Sequence, residues 1–379
     1  VAGSSAERAA PSALALDRKD LIVTLEESIR AAEDAETAAR DAGLRYFLDE
    51  DAPGITRKRR GRGWSYYDPD GGLIEDDAER DRLNALAIPP AWTDVWISPY
   101  ADSHLLATGR DSEGRKQYRY HPDWRAIRDE AKYARMIPFA RALPAIRDRV
   151  DSDLGNRGLA REKVLAAVVR LLEVSLIRVG NDEYARSNDS YGLTTLRDRH
   201  VEIEGAVIRF EFRGKGGKRH EVDVRDRRLA RIVSQCRDVP GYELFQYYDE
   251  TGEKRAIGSD DVNEYLRETT GDEFTAKDFR TWAGTLHAAA ALLEEEPCAS
   301  EREGRMRINE CAAVVAERLG NTPAICKACY IHPAVFERYL DGTLAGLLDA
   351  RGRKRLGGLS EDERGLLAFL ERVHRERAA

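Results

Sequence analysis

Along the chain, two hydrophobic rhythms succeed each other. From residue 43 to 123 apolar residues come in short runs separated by turn formers: Leu44–Leu48, Gly63–Tyr67 before the turn Asp68-Pro69-Asp70-Gly71-Gly72, Val95–Ser98 after Pro89-Pro90, and Gln117–His121. Short runs of this kind, bounded by Gly, Pro and Asp, predict strands and tight turns. From Pro122 the spacing becomes helical. Leu165, Val168, Val169, Leu172 and Leu176 share one face of a predicted helix that runs to Gly180. A three-stranded meander interrupts this part, with strands at Val201–Ile203, Val207–Phe212 and His220–Val224 and a glycine-rich turn at Arg213–Lys218. Helices are predicted again over Lys277–Leu293 and Ile308–Leu319, the second ending at Gly320, with residues 294–307 as a charged loop. Leu21, Leu25 and Ile29 give the N-terminal segment one amphipathic helix, and a short helix is predicted at the C-terminus.

The pattern gives an α+β fold: an acidic N-terminal tail or helix over residues 1–42, a small strand-rich N-terminal domain over 43–123, a mainly helical domain carrying the β-hairpin over 124–349, and a basic tail over 350–379. A chain of 379 residues with 42% hydrophobic content is long enough for two cores. No apolar stretch is long enough to span a bilayer, and residues 1–41 lack a signal-peptide core, so a cytoplasmic location is expected. Five cysteines, an odd number, argue against a disulfide framework and for a reducing compartment. Cys326 and Cys329 form a CxxC, but no second half completes a four-ligand site, and no metal or cofactor is expected.

Charge complicates the picture. The net charge of −7 does not suggest a nucleic-acid binder, yet it is unevenly spread. Residues 1–42 hold nine acids against five bases, whereas Arg57, Lys58, Arg59, Arg60 and Arg62 put five bases into six positions. Phosphate attraction is local and screened over about 10 Å, so an acidic chain can carry a basic groove. Taken alone, a basic run reads as a solvated face.

Single residues of possible chemical use each have a plain structural explanation. Arg178 suits the C-terminal end of a helix, where a cation favours the macrodipole. Lys215 is a turn lysine, although the neighbouring glycines would let a phosphate come close. Arg280 fits an ion pair in the first turns of a helix. Asn321 before Thr322-Pro323 fits a helix cap, and Tyr330 fits a core tyrosine with a satisfied hydroxyl.

Together, in order, they carry more. The blocks Leu176-Ile177-Arg178-Val179-Gly180-Asn181, Ser190-Tyr191-Gly192-Leu193-Thr194-Thr195-Leu196, Phe212-Arg213-Gly214-Lys215, Lys277-Asp278-Phe279-Arg280-Thr281-Trp282, Leu319-Gly320-Asn321-Thr322-Pro323 and Tyr330-Ile331-His332-Pro333 resemble the type IB DNA topoisomerases, above all the short poxvirus-like and bacterial members. The resemblance spans about residues 44–345. It implies that Tyr330 attacks a DNA phosphodiester to give a 3′-phosphotyrosyl link, that Arg178 and Arg280 hold the non-bridging oxygens, and that Lys215 protonates the departing 5′ oxygen. Where the family often has His, this chain has Asn321, as similar bacterial members do; an amide donates a hydrogen bond but does not shuttle protons at neutral pH. Gly114–Tyr120 resembles the segment the family lays in the major groove, which implies DNA contacts from Arg115, Lys116, Gln117, Tyr118 and Tyr120, with Arg110, Tyr184 and Lys277 as further contacts. The implied architecture is a monomeric, C-shaped clamp on double-stranded DNA, associated with the nucleoid.

The chemistry is self-consistent. Negative charge grows on the equatorial phosphate oxygens, and fixed guanidinium forks are well matched to it. A tyrosine hydroxyl titrates near pH 10 and needs a positive site to attack readily. An alkoxide needs a proton to leave, hence a general acid. The covalent link conserves bond energy, so relaxation of both supercoil signs is expected without ATP, and no Walker-type loop is present. A tyrosine site-specific recombinase is the alternative, because it uses nearly the same five residues. Its second arginine, however, typically follows His-x-x, and here Lys277 stands there. A non-catalytic DNA-binding clamp would have no use for Tyr330.

Overall fold

The computed structural model describes residues 35–378 except 50, 62, 296–297 and 349–356. The chain divides into two compact units, broken between Ala134 and Arg135, with the residues from Arg377 onward belonging to the first. Helices make up about 53% of the fold, and the strands collect into small antiparallel sheets, an α+β arrangement. No helix among the described residues is long and apolar enough to cross a membrane.

In the first unit, β1 (Thr56–Arg60) and β2 (Gly63–Tyr67) form a hairpin, and β3 (Thr93–Ile97), β4 (Leu105–Arg110) and β5 (Lys116–Tyr120) form a sheet in that order. Its core gathers Ile55, Tyr66, Leu83, Ile88, Ile97 and Ala107. The central strand β4 is buried from Leu105 to Gly109, whereas β5 is an edge strand with exposed positions. Leu44–Leu48, expected as a strand, is not one. Arg45 makes one isolated bridge to Ser103, while Tyr46 stacks on His104 at 4.3 Å and the Phe47 amide donates to His104 Nδ1 at 3.1 Å. The run is apolar because Tyr46 covers His104, the Phe47 ring packs on Trp96 and Tyr100, and Leu44 packs against Ala38, Ala42, Ile127 and Ala131. The basic run lies on β1, with Arg62 outside the described residues. Arg57 turns inward, donates to the carbonyls of Ile88 (2.9 Å) and Pro89 (2.6 Å), and lies 4.0 Å over the Trp64 ring; Lys58, Arg59 and Arg60 are exposed.

The second unit is built around the helix Arg161–Ser175. Val164 to Val169, Leu171 and Leu172 are all buried, so the middle of this helix is covered all round, rather than on the one face expected, and Val174 in its last turn is exposed. It also ends earlier than Gly180. Leu176 takes the left-handed conformation (φ 56°) as its C-cap, and the Ser175 hydroxyl bonds back to Leu171 O while accepting from Ile177 N, closing the last turn. Arg178 therefore lies beyond the helix. The meander forms as expected: β6 (Val201–Glu204), β7 (Val207–Arg213) and β8 (Arg219–Arg225), with Phe212 opposite His220 and a short 3-10 turn at Lys215–Gly217.

The helix Ala276–Leu293 matches its prediction, but the next one spans Glu301–Leu319 and absorbs residues read as loop. Ser300 caps it by accepting from Glu303 N, and Glu301–Arg305 and Glu303–Arg307 pair one turn apart, so the charges that looked like a loop are an exposed helix face. The last helix, Glu361–Ala378, is longer than expected and is part of the core through Leu366, Phe369, Leu370 and Val373. Its Glu363 is held by Arg147 at 2.6 Å and accepts from Trp282 Nε1 at 3.4 Å, which ties it to the helix that carries Arg280. The predicted N-terminal helix around Leu21–Ile29 and the basic stretch at 351–355 lie outside the described residues.

Candidate active site

Two of the sequence blocks form a single local structure. Beyond the helix cap, Arg178 and Val179 run alongside Leu193 and Thr194, whose amides donate to Arg178 O (2.8 Å) and Val179 O (2.6 Å). The two segments touch at Gly180 and Gly192. A Cβ on Gly192 would fall 2.6 Å from Gly180 N and Cα, and Gly180 sits at φ +114°. Only glycines allow this approach, and it fixes where the Arg178 side chain starts.

Arg280, in the second turn of the Ala276–Leu293 helix, is 3% exposed. Its guanidinium donates to the carbonyls of Leu176 and, at 2.7 Å, Leu319. Leu176 caps one helix and Leu319 is the last residue of another. A single cation thus satisfies orphan carbonyls at two helix C-termini, where the macrodipoles favour positive charge. Its Nε, also buried, has no acceptor among the described residues. Among the described residues Arg280 forms no ion pair of the kind expected in the first turns. Asp278 instead caps the helix by accepting from Thr275 N and Oγ1, and faces Arg135 at 3.5 Å.

Asn321 follows Gly320, the left-handed C-cap of the preceding helix, and its amide donates to Ala316 O at 2.9 Å. It is not a helix cap: Thr322 takes that place, accepting from Ile325 N, with Pro323 in the first turn. The Asn321 side chain instead accepts from Arg178 Nη2 through Oδ1, and its Nδ2 is buried beside the Cys326 thiol with no oxygen or nitrogen acceptor among the described residues. The helix Pro323–Cys329 then delivers Tyr330. Tyr330 N donates to Cys326 O at 3.0 Å, and Tyr330 O accepts from Thr285 Oγ1 at 3.3 Å.

These residues meet around a pocket of about 490 Å³ whose lining includes Arg178, Lys215, Lys277, Arg280 and Tyr330. Four of those five are cationic, and the lining has no carboxylate. Asn321 stands behind Arg178. The Arg280 guanidinium carbon lies 5.1 Å from the centre of the Tyr330 ring. Burial pushes the Tyr330 hydroxyl upward, but Arg280, Arg178 and Lys277 more than offset it, and its pKa lies below the usual tyrosine value. Lys215 is exposed at the hairpin tip, with Gly216 and Gly217 both at positive φ. Cys326 is buried and Cys329 half-buried; all five cysteines are free thiols, and burial raises the pKa of Cys326.

The remaining predicted contacts, apart from Tyr184 and Lys277, lie in the first unit. Arg110 donates to Gly114 O at 2.8 Å and faces Asp94 at 3.7 Å. Arg115 is bound by Asp111 and Glu113, Lys116 by Asp49 at 2.8 Å, and Gln117 donates to Asp111 at 2.9 Å. Tyr118 is exposed and stacks on Tyr120, with centroids 5.8 Å apart. Tyr184 belongs to the helix Asp182–Asn188, but its side chain lies outside the described residues. Asn181, Ser190 and Tyr191 also line the pocket. They fall within the sequence blocks but carry no chemical signal of their own; the paired glycines, Gly180 and Gly192, mark the place where their segments meet.

Comparison with known proteins gives the family. Residues 121–345 match the family described as the catalytic core of eukaryotic DNA topoisomerase I, and residues 63–111 match the N-terminal domain of bacterial DNA topoisomerase IB. The chain is 32% identical to DNA topoisomerase 1B of Acanthamoeba polyphaga mimivirus over 76% of its own length and 87% of the relative's. It is 26% identical to DNA topoisomerase 1 of rabbit fibroma virus (strain Kasza), over 67% and 80% of the two chains, and 24% identical to DNA topoisomerase I of monkeypox virus, over 71% and 84%. A match across more than half of the chain, with a relative this similar along most of both lengths, makes the protein a member of the type IB DNA topoisomerase family, isomerases that act on DNA.

Proposed function

We propose that the protein relaxes positive and negative supercoils by cutting one DNA strand with Tyr330, forming a 3′-phosphotyrosyl intermediate, and resealing it after rotation. Neither ATP nor a metal ion is required. The observation that carries this reading is the convergence of Tyr330 with Arg178, Lys215 and Arg280 on one pocket free of carboxylates. In the first step Tyr330 gives up its hydroxyl proton to solvent, the phenolate oxygen bonds to phosphorus, and the bond to the 5′ oxygen breaks. Arg178 and Arg280 neutralise the charge on the non-bridging oxygens, the Nε of Arg280 is a donor that a phosphate oxygen would satisfy, and Asn321 steadies Arg178 from behind. Lys215 gives its proton to the 5′ oxygen, and two neighbouring glycines let its turn adapt to the duplex. Resealing reverses these steps. Lys277 contributes positive potential at Tyr330.

The proposal extends to the first unit, whose strand β5 would lie against the major groove with Tyr118 and Gln117 toward base edges. Both units would grip the duplex as a C-shaped clamp, in a monomer acting on the nucleoid in the cytoplasm. The test is relaxation of supercoiled plasmid in EDTA without ATP. Wild type is expected to relax both signs, while Tyr330→Phe binds duplex DNA but forms no covalent adduct; persistent adduct in that variant rules out Tyr330 as nucleophile.

A further inference from the structure

His220 stands opposite Phe212 across β7 and β8, and the two rings stack with centroids 5.1 Å apart and planes 6° apart. The imidazole edge is enclosed by two glycines. A Cβ on Gly214 would fall 2.5 Å from its Cδ2, and a Cβ on Gly320, at φ +59°, would overlap its Cε1. Gly214 immediately precedes Lys215, and Gly320 immediately precedes Asn321. The ring therefore fills the seam between the hairpin that carries the lysine and the turn that carries the amide. The same seam is bridged by Lys218 Nζ, which donates to Asn321 O at 3.2 Å. Burial, with Arg178, Lys218 and Arg280 nearby, pushes the His220 pKa down to about 4, so the wedge is uncharged at neutral pH and does not repel the cations around it. Its Nε2 is buried without a partner among the described residues, so the ring is held by shape.

We infer that His220 is a positioning residue for DNA cleavage: a flat wedge between Gly214 and Gly320 that sets the Lys215 hairpin against the Asn321 turn, so that the lysine reaches the departing 5′ oxygen while the amide holds Arg178 in place at the phosphate. This rests on the reading of Lys215 as the general acid. Loss of the wedge releases the hairpin, and the proton no longer arrives in line with the breaking bond.

A change of leaving group tests this. If the 5′ oxygen at a mapped cleavage site is replaced by sulfur, the departing group is a thiolate, with a conjugate-acid pKa of about 8.5 like that of cysteine, and leaves without a donated proton. In single-turnover cleavage of the oxygen substrate, His220→Ala is expected to be slower than wild type by about thirtyfold, a partial loss of the roughly 10²–10⁴-fold that a general acid supplies. On the sulfur substrate it should come within about threefold of wild type, with duplex affinity unchanged. His220→Phe, which returns a flat ring to the seam, should recover most of the oxygen rate. Equal slowing of His220→Ala on both substrates overturns the inference, because general damage to the site is not relieved by a better leaving group. So does a His220→Phe enzyme as slow as His220→Ala. If thermal melting shows His220→Ala to be unfolded, His220→Gln is read in the same comparison. Lys215→Ala separates the two layers. If sulfur relieves Lys215→Ala but not the His220 variants, the wedge fails and the general acid stands. If sulfur does not relieve Lys215→Ala, the assignment of the acid itself falls, and the wedge with it.

Discussion

In the first unit, Lys116 lies 2.8 Å from Asp49, Arg115 is bound by Asp111 and Glu113, and Arg110 faces Asp94. In the second, Arg178 is held by an amide oxygen and Arg280 by two backbone carbonyls, and among the described residues neither forms an ion pair. Both regions are basic in sequence, but they hold their charge differently. A cation paired with a carboxylate must give up that partner before it can bind phosphate, and a pair on the surface contributes little either way. A cation held by neutral oxygens keeps its full charge for whatever enters the pocket. This is how a chain with a net charge of −7 can present a strongly positive site.

The largest expected effect tests the carbonyl-held side. Arg280→Ala should slow single-turnover cleavage by about 10²–10³-fold, the usual loss when one transition-state donor is removed. Lys116→Ala should leave the cleavage step itself nearly unchanged once DNA is saturating; comparable losses in the two variants would erase the distinction. A smaller effect concerns Tyr330. Its lowered pKa means that cleavage should rise with pH through a midpoint below the usual tyrosine value of about 10. Removing one of the charges responsible, in Lys277→Ala, should move that midpoint up. A rise of half a unit would cost about threefold at neutral pH, where the reactive phenolate fraction scales with the distance below the midpoint. A midpoint that moves down, or not at all, would mean that Lys277 does not act on the nucleophile. The smallest effect sharpens the paired side. Asp49→Asn removes the carboxylate paired with Lys116, and if β5 lies on DNA, duplex affinity should rise by about twofold to fivefold. Lys116→Ala should reduce the slope of log affinity against log salt by about one. If filter binding shows neither change, β5 is not part of the DNA interface.

The sequence made some features legible because their cause is local. The meander and the Ala276–Leu293 helix follow from alternation, glycine turns and helical spacing. The Glu301–Leu319 helix was half hidden because its first turns carry no apolar stripe and are held by pairs such as Glu301 with Arg305. Leu44–Leu48 misled because side-chain packing, of Tyr46 on His104, Phe47 on Trp96 and Tyr100, and Leu44 on a neighbouring cluster, rather than strand pairing, accounts for its apolar residues. At the site, the order of the blocks pointed to the five residues, but the reasons for their placement were not readable. That Arg280 closes two helix ends, that Thr322 rather than Asn321 caps the next helix, and that Gly214 and Gly320 enclose His220 all depend on contacts between segments distant in the chain.

The two carbonyls that hold Arg280 belong to Leu176 and Leu319, the ends of separate helices. An enzyme that leaves a strand cut in every cycle must not lose its resealing machinery while the break is open. On the proposed reading, fraying of either helix end would remove a support from the arginine that faces the phosphate, so the local order of two distant segments is a precondition for both cutting and joining. The safeguard lies in the main chain, where replacement of either leucine side chain would leave both acceptors in place.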